Sequence, residues 1–304
     1  MKTFFSDLPV ALFRLLGKLP LGFLFFISSV LMYPLVYYVA RYRLKVVRRN
    51  MEAAFPEKSI EQRRRMERAF YHHFCDMFME MLHIFGLDKE EALTRMHFVN
   101  PELVTDYADK QQGVLLTCGH YGNWEYMSLL FLKMLDTGNQ QGYSVYKPLR
   151  SVIFDRLFQQ IRSRFGGGIV TKDRTFRQVI RLRKAGIAGI FGLVSDQSPT
   201  ARNLHYWTRF LNQDTAFLTG PERMAKQTGF AVLYADVKRM KRGYYETTFR
   251  RITDEPMQTP EFWITERFAR LMEETILRDP AYWLWTHKRW KHKRSMESFK
   301  LNES

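Results

Sequence analysis

Cysteine is nearly absent from this 304-residue chain. Only Cys75 and Cys118 occur, far apart and each inside an apolar pattern. That excludes a disulfide framework and reads as two reduced core residues, with the main body on the cytosolic side of any membrane. Internal repeats and low-complexity tracts are also lacking. No G-x-S-x-G surrounds Ser128, which argues against a hydrolase built on that serine. Gly166-Gly167-Gly168 lacks the Lys-Ser/Thr ending of a phosphate loop. His72, His73 and His83 have no carboxylate or cysteine at a known ligand spacing, so no metal site is expected. Acidic residues are in deficit: 31 Asp and Glu stand against 47 Lys and Arg, a net charge of +16. Such a balance asks for an anionic partner, whether nucleic acid, anionic lipid or an acidic protein. The basic residues are spread along the chain without a helix-turn-helix, zinc-finger or RNA-recognition signature. A membrane-tethered nucleic-acid binder is therefore kept only as an alternative.

Apolar material is abundant. Hydrophobic residues make up 46% of the chain and aromatics 15%, enough for a large core, an apolar ligand or a membrane-facing surface. Residues 19–40 carry no charge, and these 22 residues match the roughly 20 that a helix needs to cross a bilayer. Pro34 inside the run predicts a kink or an oblique, one-leaflet insertion. No small-x-small cleavage site follows, which disfavours a signal peptide. Arg41, Arg43, Lys45, Arg48 and Arg49 follow instead. They place the C-terminal side in the cytoplasm and suit anionic headgroups. The boundary is drawn at residue 56: a membrane anchor with its basic flank over 1–56, a second domain over 57–304.

Ser59-Ile60-Glu61-Gln62 reads as a capping box opening a helix to about Phe85, with one apolar face. From Val114 onward strands and helices alternate. Strands are expected at 114–118, 142–146, 187–194, 230–237 and 244–251. Helices are expected at 123–135, 152–165, 174–184, 220–228 and 261–277. This is the pattern of an α/β fold, a mostly parallel sheet covered by helices on both faces, with the last two strands as an antiparallel hairpin. Thr219-Gly220-Pro221-Glu222 reads as a second capping box.

The segment from Val114 to Glu125 draws the chemistry together. Val114-Leu115-Leu116-Thr117-Cys118 is a buried-strand pattern that breaks at Gly119, so His120 stands at a strand end and Glu125 on the next helical turn. Crevices outside such strand ends are where open α/β sheets bind ligands. Across this turn the carboxylate can accept from one ring nitrogen and leave the other as a base. The plainer alternative is that His120 caps the turn and Glu125 is a solvated acid at a helix N-terminus.

Gly119-His120-x-Gly122-Asn123-Trp124-Glu125 resembles the H-x4-D/E motif of glycerolipid-type acyltransferases, most nearly the branch with the bacterial lipid A late acyltransferases. Residues 206–211 with 219–225, and Trp283-Leu284-Trp285-Thr286-His287-Lys288-Arg289-Trp290-Lys291, are similar to that family's central and C-terminal segments. The resemblance runs in order along nearly the whole chain. It implies acyl transfer from a thioester to a hydroxyl of a lipid A precursor, with His120 as general base and Glu125 orienting the ring. The donor it implies is an acyl-acyl carrier protein and the acceptor a phosphorylated glycolipid. No cofactor is required. The implied location is the inner membrane, with the catalytic domain on the cytoplasmic side. The loops with Lys147 and with Asp196-Gln197 would line the acceptor site. Arg162 and Arg164 match the family's arginine region, without a choice between them. The Gly122-Asn123 turn is one candidate source of oxyanion donors. Ala231 stands where the family often has proline. Another lipid acceptor, such as a lysophospholipid or an acylated amino-acid lipid, remains open.

Overall fold

The strand Val114–Cys118 is buried along its whole length and lies at the centre of a seven-stranded sheet. The computed structural model describes residues 4–107, 110–134 and 140–294. Nine strands are found among them: β1 (Met96–Phe98), β2 (Val114–Cys118), β3 (Gln140–Tyr146), β4 (Gly168–Thr171), β5 (Ala188–Val194), β6 (Tyr206–Phe210), β7 (Gln213–Phe217), β8 (Ala231–Lys241) and β9 (Tyr244–Thr253). The main sheet has the order β1-β9-β8-β2-β5-β3-β4, and every neighbouring pair except β8/β9 is parallel. The α/β class and the terminal hairpin expected from the alternation are both present. A parallel sheet needs both faces covered, which is why β2 reads as an unbroken apolar run.

Four strands had no counterpart in the expected pattern. β1 has three residues, too few for a period to show. β4 begins within the glycine triplet. β6 and β7 form a separate antiparallel ribbon, turned by Leu211 and Asn212 at φ 47° and 62°. The residues after Asn123 form a 3-10 turn (Trp124–Leu129) before a short α-helix (Leu130–Met134), and the expected end at residue 135 lies outside the described residues. The box at Ser59 is real: Ser59 accepts from the Gln62 amide and Gln62 reaches back to Ser59. The box at Thr219 is not. Glu222 turns inward and accepts from the amide and hydroxyl of Thr265, tying Gly220–Thr228 to the helix Trp263–Arg278.

The uncharged run is helical from Leu21 to Val39, long and apolar enough to cross a membrane. It widens into π turns at Ser28–Met32 and Leu35–Val39, on either side of Pro34. Proline has no N–H to give and crowds the carbonyl four residues back, and a wider turn relieves both. One side of this helix rests on the helix Ile60–His83. Ser28 donates to Asp76 at 2.7 Å and Tyr37 to Glu67 at 2.7 Å. The other side exposes Phe23, Phe26, Val30, Leu31 and Leu35. The helix Leu44–Ala54 packs into the same core as the sheet through Val47 and Met51, and Asn50 donates to the carbonyls of Trp285 and His287.

Candidate active site

Parallel pairing of β2 with β5 sets Cys118 opposite Val194, and the Ser195 amide donates to the Cys118 carbonyl at 3.0 Å. Two residues beyond each strand end lie His120 and Asp196. The register alone therefore brings them together. The His120 ring is 2.6 Å from Asp196 through Nδ1, and the His120 backbone amide donates to the other Asp196 oxygen at 3.0 Å. Trp283 Nε1 gives that same oxygen a third hydrogen bond at 2.7 Å. Trp283 is placed by a crossing of chains: Tyr121 bridges to it, Leu284 donates to the His120 carbonyl, and Gly122 donates to the Tyr282 carbonyl. Gly122 makes the turn at φ 59°, where a Cβ would meet Tyr245 and Val237.

Asp196 is 2% exposed. Burial pushes its carboxyl upward, but the His120 ring and the donors from Trp283 and the His120 amide outweigh it and hold it at about 2. Its charge fixes the proton of neutral His120 on Nδ1. The lone pair is then on Nε2, which the side-chain amide of Gln197 meets at 3.2 Å. Trp124 lies edge-on to the ring, centroids 4.8 Å apart. Beside it, His287 Nε2 accepts from the Ser198 amide at 3.0 Å, and burial lowers this imidazole to about 4.

Glu125 does not sit on the His120 ring. It is buried and gripped by Arg162 through two bonds, Nε to Oε2 at 2.7 Å and Nη2 to Oε1 at 2.6 Å. Trp124 Nε1 adds a bond at 3.0 Å. Burial opposes the Arg162 charge, yet Glu125 raises the guanidinium above its ordinary value. The plainer alternative for Glu125, a solvated acid, does not hold either. The carboxylate on the His120 ring is Asp196, a residue expected only to line the acceptor loop. A two-pronged guanidinium pair of this kind fixes geometry strongly.

The remaining expected residues divide. Gln197 and Lys147 line a cavity of about 500 Å³, together with Tyr146, Phe176, Leu193 and Met224. Asn123 is fully buried and faces neither the cavity nor the ring. Its side chain accepts from the Glu125 amide and donates to Glu80. The Gly122 amide, a candidate oxyanion donor, is already spent on Tyr282. Arg162 turns to Glu125, whereas Arg164 turns away and donates to the Leu87 carbonyl. A second, narrow slot of about 60 Å³ runs behind Glu125 and Arg162, with Cys118, Ser128 and Gly192 on its walls. Lys172 and Arg223 also line the larger cavity, and sequence reasoning had passed over both. Among the described residues no group of three or more His, Cys, Asp or Glu is arranged to hold a metal. His73 instead reaches the Gly122 carbonyl at 3.3 Å, and His83 the Gly17 carbonyl at 2.9 Å.

This geometry, an imidazole oriented by a buried carboxylate beside a mostly apolar cavity, fits transfer of a lipid-like group. Comparison with known proteins agrees. The chain is 24% identical over 256 residues to a protein described as lipid A biosynthesis lauroyltransferase from Escherichia coli (strain K12), covering 82% of this chain and 79% of that one. The family described as bacterial lipid A biosynthesis acyltransferase matches residues 2–292. The chain belongs to that family of acyltransferases.

Proposed function

We propose that the protein transfers a fatty acyl chain from an acyl-acyl carrier protein thioester to a hydroxyl of a lipid A precursor, with His120 as general base. One observation carries the reading: Nδ1 of His120 is tied to a buried carboxylate, and Nε2 faces the cavity wall through Gln197. The incoming hydroxyl replaces the Gln197 amide at Nε2 and gives up its proton as its oxygen attacks the thioester carbonyl. Asp196 stabilises the imidazolium so formed, the part a triad carboxylate has. The displaced Gln197 amide then stands beside the reacting carbonyl and donates to the tetrahedral oxyanion. Collapse of the tetrahedral species expels the thiolate, which takes up the proton. Glu125 and Arg162 act as a rigid pair that holds the helical turn after His120 against the helix Val152–Ser163. Lys147, Lys172 and Arg223 suit phosphates of the acceptor.

The same reading places the protein at the inner membrane, catalytic side toward the cytoplasm. Its support is the apolar outer side of the helix Leu21–Val39 and the basic flank that follows. The bonds from Ser28 and Tyr37 favour a helix lying along the body with its outer side in one leaflet, over a free span. The test is transfer by the purified protein from acyl-acyl carrier protein to a lipid A precursor, to lysophospholipid and to an acylated amino-acid lipid. Product from the lipid A precursor alone supports the proposal. Faster turnover of either other acceptor would assign the protein to that acceptor.

A further inference from the structure

Away from the cavity beside Gln197, the helix Phe4–Gly17 meets the helix Val152–Ser163 over an open depression of about 650 Å³. Its charged walls are Arg14, Lys18 and Arg164, and no acidic residue lines it. None of its lining residues is shared with the cavity beside Gln197. Two of the cations are held in place by one bond each. Arg14 Nε donates to Gln160 at 3.2 Å, and Arg164 Nη2 to the Leu87 carbonyl at 2.8 Å. Lys18 has no side-chain partner among the described residues. The corner itself is fixed: His83 binds the Gly17 carbonyl, and a Cβ on Gly86 would strike the same carbonyl. Burial, then the charge of Arg14, pulls the Arg164 guanidinium below its ordinary value, the strain that a bound anion removes.

The surroundings name the anion's source. Leu15 lines the depression and is exposed, and Leu12 and Leu16 are exposed on the same helix. Phe154 is exposed on the opposing helix, its ring centroid 6.4 Å from that of Phe13. An anion-binding floor with an apolar rim is the chemistry of a lipid at the interface, because phosphate and acyl chain are satisfied together. We propose that this depression binds the phosphate headgroup of an anionic bilayer phospholipid, its acyl chains lying over Leu12, Leu15 and Leu16. The proposal rests on the membrane attachment argued above, but its test does not depend on acyl transfer.

The full-length protein in nonionic detergent is titrated with short-chain phosphatidylglycerol, short-chain phosphatidylcholine and inorganic phosphate, with binding read by thermophoresis. Each cation near an anionic headgroup is worth about fivefold in affinity. Arg14→Gln/Lys18→Gln/Arg164→Gln should therefore weaken phosphatidylglycerol on the order of 100-fold and leave phosphatidylcholine unchanged. If the triple variant melts early, Lys18→Glu alone should still cost about tenfold or more. A control at the exposed Arg177→Gln/Arg181→Gln/Lys184→Gln, on the helix Thr175–Lys184, should keep full affinity. Equal phosphatidylglycerol binding by wild type and the variants overturns the site. So does equal loss in the control, which would mean diffuse attraction. Inorganic phosphate binding as tightly as phosphatidylglycerol would make this a free-phosphate site and overturn the headgroup assignment.

Discussion

Replacing Asp196 by asparagine keeps the shape of the side chain and changes what it offers. Asp196 accepts from His120 Nδ1, the His120 amide and Trp283 Nε1. Asparagine has one accepting oxygen and one donating nitrogen for those three donors. If the oxygen stays with Trp283 and the His120 amide, the NH2 faces Nδ1. The ring must then carry its proton on Nε2, and the base is lost. In the serine-protease triad the same carboxylate-to-amide change costs about 10,000-fold. A thioester is more reactive than an amide, so less is demanded of the base, and kcat should fall about 1,000-fold, within the range of a general-base contribution. Stability should fall too. Holding a buried carboxyl at about 2 instead of 3.8 is worth on the order of 2 kcal/mol. Because the folded value is the lower one, that stabilisation is complete above the unfolded value of 3.8 and is lost as pH falls through about 2. Because the charge of a protonated His120 is the largest part of that lowering, the variant should lack the stabilisation chiefly on the acid side and show a flatter acid limb. The assays are kcat and KM from pH 6 to 9, and urea unfolding at pH 7 and pH 3. A stable variant with at least a third of wild-type kcat would refute the orienting role of Asp196.

Three further outcomes are expected. Glu125→Gln strands a mostly buried Arg162, and removing one partner of a buried pair costs about 3–5 kcal/mol; a Glu125→Leu/Arg162→Met double variant should recover much of that loss. A Glu125→Gln protein that melts normally but turns over slowly would return Glu125 to the His120 ring. Gln197→Leu should lower kcat about 100-fold with little change in donor KM, the loss typical of an oxyanion donor; a pure KM effect would make Gln197 a binding residue only. His287 is neutral in the fold because burial lowers it to about 4, so the unfolded chain takes up its proton first as pH drops below 6.5. Stability should therefore decline from pH 6.5 toward 4, and His287→Gln should flatten that decline in denaturant melts; an unchanged slope would remove His287 from the acid response.

The central strand and the last hairpin were legible because their patterns are local. Val114-Leu115-Leu116-Thr117-Cys118 is a buried strand on its face, and Lys241-Arg242-Gly243 marks a turn between an apolar run and an alternating one. The β6/β7 ribbon was missed because Leu211-Asn212 is an unusual two-residue turn and the runs on either side of it, Tyr206–Phe210 and Gln213–Phe217, do not alternate. The partner of His120 was not legible at all. Asp196 is 76 residues away, and only the adjacency of β2 and β5 and the Cys118–Val194 register bring it to the ring. Glu125, five residues from His120, was the local candidate. Its bond to Arg162 depends on where the helix Val152–Ser163 packs. Thr219 failed as a cap for the same kind of reason: Glu222 finds a buried partner in Thr265, and a long-range bond overrides a local motif.

The most direct measurement is single-turnover acyl transfer by purified His120→Ala from acyl-acyl carrier protein, alongside its thermal melt. A protein that melts within a few degrees of wild type and transfers at least 100-fold more slowly, the smallest general-base contribution, is the predicted result. A folded variant that keeps a tenth or more of the wild-type rate would mean that the proton is removed elsewhere, and His120 would have to be given up as the base.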